Sequence, residues 1–206
     1  MRKPLVLASL LALAAFAAPA DAAPFSYADA KGDMPVAGVD IVSVTYATLG
    51  TTTTSKVRGR TVKTYTPTQL VVTLELADAP VEAPGVRYKV EAEVQGCGTF
   101  SVSYAPNTVY ANLLGPASLF LGCGGADPVG GEGQVIFPKF AKEGSKLVWT
   151  ASLKLLPKNV RAGAVFKAHN ATVDLVEPVV GVQGSEETGG PALVDTATSP
   201  ATWKLG

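Results

Sequence analysis

The sequence predicts an all-β protein, an antiparallel β-sandwich of about nine strands with a closed β-barrel as the alternative. Three observations carry this. Apolar and polar residues alternate with a period of two over most of the chain. Turn residues recur between the alternating runs. No run past residue 22 keeps a helical period, and β-branched residues and glycine are abundant where a helix favours alanine, leucine and glutamate.

The first 22 residues stand outside the fold. Arg2 and Lys3 precede an apolar run over 5–18, followed by Ala18, Pro19, Ala20, Asp21 and Ala22. That is the order of a secretory signal peptide, with cleavage after Ala22 or after Ala20. The mature chain, residues 23–206, is expected to be a single secreted domain. No later stretch approaches the roughly 20 uninterrupted apolar residues that a membrane span needs.

Residues 39–47 alternate weakly and are expected to open the sheet. Lys56, Arg58, Arg60 and Lys63 then lie beside a threonine run that reads as a solvated hairpin tip. In 70–76, Leu70, Val72, Leu74 and Leu76 alternate with Val71, Thr73 and Glu75, giving one face to a core and one to water. The alternation is clearest in 86–94, where Val86, Tyr88, Val90, Ala92 and Val94 interleave with Arg87, Lys89, Glu91 and Glu93. Weaker runs follow over 99–104, 108–114 and 134–137. In 147–155, Leu147, Trp149, Ala151, Leu153 and Leu155 share a face that makes Trp149 a core residue. Runs over 162–168 and 172–176 complete the set. Pro67, Gly85, Pro106 with Asn107, the glycines of 122–133, Gly144 and Pro157 mark the turns between them. The pattern fades beyond Glu177, and Trp203 and Leu205 are expected to pin the carboxyl end back onto the sandwich.

Charge argues against a nucleic-acid partner. The chain has 17 basic and 17 acidic residues, and losing Arg2, Lys3 and Asp21 leaves the mature chain with a single negative charge in excess. A protein that tracks phosphates needs a long basic stripe. Cys97 and Cys123 are the only cysteines, each flanked by glycine on both sides, and in an oxidising destination they are expected to form a disulfide.

Catalytic residues are scarce. His169 is the one histidine, read as a surface or loop residue, and no G-x-S-x-G elbow supplies a nucleophile. Soft ligands are too few for a catalytic zinc. The glycines of 122–125 and 130–133 start a dinucleotide loop and a calcium nonapeptide without completing either, since Asp127 and Val135 occupy the decisive positions. An acidic pair drawn from Asp127, Glu132, Asp174 and Glu177 would be the feature to favour an enzyme. Tyr104 and Tyr110 flank the turn at Pro106 and Asn107 and are candidates for a sugar-stacking platform, with packing at the sandwich edge as the alternative.

Asp29 and Asp33 bracket a turn through Gly32, and Asp40 returns immediately before the first strand. Carboxylates so spaced can converge on one calcium ion, its shell completed by carbonyls and water. The alternative is an Asx turn at Asp29 with Asp33 and Asp40 solvated.

Asp29, Gly32 and Asp33, then Asp40 with Ile41, the strand over 70–76 and Tyr88 to Val94 together resemble the opening of secreted bacterial β-sandwich modules broadly similar to DOMON domains and family 9 carbohydrate-binding modules. Asp195, Ala197 and Gly206 match a weaker closing pattern. The resemblance implies a sandwich with a binding or accessory role, with calcium as the cofactor it allows. Met34 and His169 make no convincing haem-ligand pair, a departure from the haem-binding members. The expected function is therefore a secreted, non-catalytic binding or accessory module for a carbohydrate or cell-surface polymer. The alternatives are a structural or adhesion protein of the cell envelope and, behind it, an enzyme of unfamiliar type.

Overall fold

The structure is a computed structural model that describes residues 23–30, 32–83, 85–106, 115–123, 133–175 and 192–206. Residues 1–22, expected to be a signal peptide, Lys31, the strand expected over 108–114 with Tyr110, and Asp127, Glu132 and Glu177 lie outside the described residues.

Two antiparallel sheets face one another, and they do not close into a barrel. The first holds β1 (Phe25–Ala28), β2 (Ile41–Val57), β3 (Arg60–Leu76), β9 (Lys146–Ser152) and β8 (Lys139–Glu143), in that spatial order. The second is ordered β11 (Ala192–Ser199), β10 (Val165–Leu175), β4 (Val86–Val94), β5 (Gly98–Tyr104), β6 (Ala117–Leu121) and β7 (Gln134–Ile136), and β12 (Trp203–Lys204) also pairs with β10. No α-helix occurs among the described residues; the one helical turn is a 3₁₀ turn at Lys158–Val160.

Strict alternation builds the core. Leu70, Val72, Leu74 and Leu76 from β3 and Leu147, Trp149 and Ala151 from β9 are buried, facing Val86, Tyr88, Val90, Ala92 and Val94 from β4 and Phe100, Val102 and Tyr104 from β5. Each such valine, leucine or phenylalanine side chain taken from water contributes about 1.5–3 kcal/mol. Polar ends reach across the interior to backbone acceptors. The Trp149 indole donates to the Ser103 carbonyl at 3.1 Å, and the Tyr46 hydroxyl donates to that of Glu91 at 3.3 Å. Leu155 does not join this face, because the strand ends at Ser152 and leaves it exposed.

The expected disulfide is present. Cys97 lies in the β4–β5 turn and Cys123 just past β6, and their Cα atoms are 4.1 Å apart, within the reach a bridge requires. The flanking glycines have a physical reason. Gly98 has φ +91°, and a Cβ there would meet the Gly122 carbonyl oxygen at 2.8 Å.

The two strands expected over 162–168 and 172–176 are replaced by one, β10 at Val165–Leu175, with a bulge. β10 pairs with β4 through Lys167↔Glu93 and resumes at Asn170↔Glu91, and Ala168 takes φ +50° between them. A bulge changes which residues face the core. Phe166 points inward, and after the bulge so does His169.

Candidate functional site

Three features stand apart from the core: a protruding hairpin, a cluster of carboxylates where the two sheets meet, and a buried histidine.

β2 and β3 run on together well past the sandwich. Ile41 to Leu49 and Gln69 to Leu76 are sheet residues, but Gly50 to Val57 pair with Pro67 to Arg60 alone, and residues 49–64 are exposed without interruption. Eight residues of extended chain make an arm about 25 Å long. Cross-strand register places Thr52, Thr54, Lys56, Thr61, Lys63 and Tyr65 on one face. Arg58 and Gly59 form the two-residue turn with φ of +50° and +77°. Both central residues of such a turn need positive φ, which asparagine, aspartate and glycine tolerate and arginine does not. An arginine there costs on the order of 1 kcal/mol. Residues 50–67 carry four basic and no acidic side chains. The basic cluster is thus at a hairpin tip, as expected, but the tip is the end of an arm rather than a short loop.

Two of the three carboxylates predicted from the sequence, Asp29 and Asp33, come together with Asp195, and Asp40 faces Asp33 from outside that group. Carboxylate oxygens of Asp29, Asp33 and Asp195 lie within 4.8 Å of one another. Asp29 leaves β1, Asp40 enters β2, and Asp195 comes from β11 of the opposite sheet. Asp195 accepts from the Ile41 amide at 2.6 Å and from the Thr196 amide at 2.7 Å, so it ties the two sheets together. Asp40 is 1% exposed; its Oδ2 accepts from the Gly32 amide at 2.7 Å, while its buried Oδ1 has no hydrogen-bond partner. Asp29 has the same split, with Oδ1 accepting from the Ala30 amide at 2.9 Å and a buried, unpartnered Oδ2. The Asp33 carboxyl is raised above its ordinary pKa, first by desolvation and then by the facing carboxyl of Asp40 and the charges of Asp195 and Asp29. The Asp29 contact reaches the adjacent amide of Ala30, one residue on where an Asx turn reaches two, and the Asp29 carboxylate converges with those of Asp33 and Asp195.

His169 is not a surface residue. It is 1% exposed, with its ring 4.5 Å from that of Phe25 and 4.9 Å from that of Tyr46 (centroid distances) and Tyr27 at 5.9 Å, and neither ring nitrogen has a hydrogen-bond partner. Burial lowers its pKa to about 4, offset in part by the Phe166 backbone. The expectation failed because the bulge at Ala168 reverses which residues face inward. Among the described residues no carboxylate bonds this imidazole to orient it as a general base.

The remaining candidates fall into structural roles. Tyr104 is 3% exposed and stacks on Phe140 at 4.7 Å, so its ring is closed to a sugar. Asp174 is buried and accepts from Arg87 at 2.7 and 3.2 Å, an ion pair rather than half of an acid–base couple. No helix among the described residues is long and apolar enough to cross a membrane. Compared with models of protein families, with curated proteins and with solved structures, the chain matches none.

Proposed function

We propose that this is a secreted, non-catalytic binding protein whose β2–β3 arm engages an anionic carbohydrate or cell-surface polymer. The arm carries this reading. A solvated two-stranded ribbon buries nothing and is marginal by itself, and placing arginine at a turn position that disfavours it adds strain. Strain of this kind points toward function rather than folding. The chemistry suits a polyanion rich in hydroxyls. Lys56, Arg58 and Lys63 supply charge, and Thr52, Thr54 and Thr61 supply short hydroxyl donors and acceptors on the same ribbon face as the two lysines.

The second reading, a structural or adhesion protein of the envelope, is favoured by the arm's edges. Among the described residues, neither outer edge of Gly50–Val57 or Arg60–Pro67 pairs with another strand, and an open edge is a template for strand addition.

The test is direct binding of residues 23–206 to immobilised anionic polysaccharides, a neutral polysaccharide and duplex DNA at several salt concentrations. Wild type is expected to retain on the anionic polysaccharide with affinity falling steeply as salt rises, because bound cations displace counterions. The triple variant Lys56→Gln, Arg58→Gln, Lys63→Gln should bind about tenfold more weakly or worse. Its melting temperature should hardly move, since exposed substitutions change stability by about 0.5 kcal/mol or less. Equal binding by variant and wild type, or preference for DNA, would overturn the proposal. Concentration-dependent self-association abolished by edge prolines, without polymer binding, would establish the adhesion reading instead.

A further inference from the structure

We propose that Asp29, Asp33 and Asp195, with Asp40 beside Asp33, form a site for one hard divalent cation, calcium by preference, which clasps the amino-terminal segment and both sheets together. The inference is independent of what the arm binds.

The geometry fits. Oxygens on one ion at about 2.4 Å can stand no more than about 4.8 Å apart, on opposite sides of it, and the Asp29, Asp33 and Asp195 oxygens lie within 4.8 Å of one another. Asp40 supplies the independent observation. It is buried, faces Asp33, and has an oxygen sealed from water with no donor in reach. A buried acceptor left unpaired costs about 1–3 kcal/mol, more when charged, and a cation removes that cost. Asp29 Oδ2 is a second such oxygen. Asp195 already accepts two amide hydrogens, yet a carboxylate has about four lone-pair sites and keeps capacity for a metal.

Charge points the same way. None of the four carboxylates forms an ion pair among the described residues. Three carboxylates at this spacing, with Asp40 facing one of them, repel one another, and amide donors alone do not neutralise them. The donor set selects the metal. All-oxygen, flexible carboxylates suit calcium's six to eight ligands, whereas zinc prefers nitrogen and sulfur and magnesium demands a tighter octahedron and keeps its water. Because Asp29 follows β1 and Asp40 precedes β2 of the first sheet while Asp195 lies in β11 of the second, the ion would join the sheets where Asp195 already bonds the Ile41 amide.

The test uses residues 23–206 with calcium chloride, magnesium chloride or chelator, reading melting temperature and calorimetric binding. Wild type is expected to melt about 5 °C or more higher at calcium a hundredfold above Kd, with a smaller shift from magnesium. Asp33 is exposed, and Asp33→Asn leaves the buried hydrogen bonds of Asp40 and Asp195 intact. This variant should bind calcium at least tenfold more weakly and, in chelator, should melt at or above wild type, because a repelling charge is gone. A metal role and a folding role predict opposite signs for that second result. An unchanged melting temperature between chelator and millimolar calcium, or an Asp33→Asn protein that binds calcium like wild type, would overturn the site. So would an Asp33→Asn protein that melts well below wild type in chelator.

Discussion

Replacing Cys97 and Cys123 together with alanine is expected to lower stability by about 3.5 kcal/mol. The bridge spans a sequence separation of 26, and closing a loop of that size removes about 3.5 kcal/mol of chain entropy from the unfolded state. For a domain of this length the melting temperature should fall by about 7–14 °C. Cys97 is also buried against the core, so the variant should lose a little more than reduction of wild type does. A thermal melt of the double variant beside wild type, with and without reductant, checks this. A drop of less than about 1 kcal/mol, or labelling of both thiols by alkylation without reductant, would contradict the assignment.

The second large effect is a loss of stability in mild acid. The folded state holds His169 neutral with a pKa of about 4, whereas the unfolded chain titrates near 6.5. A base whose pKa is depressed by folding contributes stability that is complete above the unfolded value. That stability falls as pH drops toward the folded one, because the unfolded state then binds the extra proton. The loss from pH 6.5 to 4 amounts to about 3 kcal/mol, at no more than about 1.4 kcal/mol per pH unit. Among the described residues, the rings facing the imidazole are those of Phe25, Tyr27 and Tyr46, none of which changes charge in this window. His169→Phe should flatten the dependence between pH 6.5 and 5, above the range of ordinary carboxylates. Denaturant midpoints across that range read it, and equal slopes in variant and wild type would refute the role of burial.

The long one-sided strands were legible because their burial is one-sided. Val86 to Val94 and Leu70 to Leu76 alternate without a break, and the structure buries the alternating set. The short strands gave no comparable signal. Phe25–Ala28 has four residues, and the edge strand Lys139–Glu143 has none that is fully buried. The arm escaped for the opposite reason, since both its faces are wet and no alternation of apolar and polar residues marks it. Tyr104 was legible in principle, because it continues the alternation of Phe100 and Val102, and that pattern assigns it to the core.

The carboxylate cluster was half legible. Asp29, Asp33 and Asp40 are local, and the glycine turn predicts their convergence. Asp195 is 154 residues from Ile41, whose amide it accepts, and only the pairing of β11 with β10 carries it there. No local signal links the two; the weak closing pattern around Asp195 was the one hint. His169 was expected just past a strand run over 162–168, but β10 continues through a bulge at Ala168 that turns the histidine inward.

Hydrogen exchange of residues 23–206 with and without the anionic polysaccharide it retains tests most directly whether the arm is the binding element. Arm amides on the open edges exchange quickly in the free protein, because no neighbouring strand protects them. Bound polymer is expected to slow exchange across residues 48–67, most strongly around Lys56, Arg58 and Lys63, and to leave the core strands unchanged. Protection confined to other surfaces, with the arm exchanging as it does in the free protein, would contradict the account.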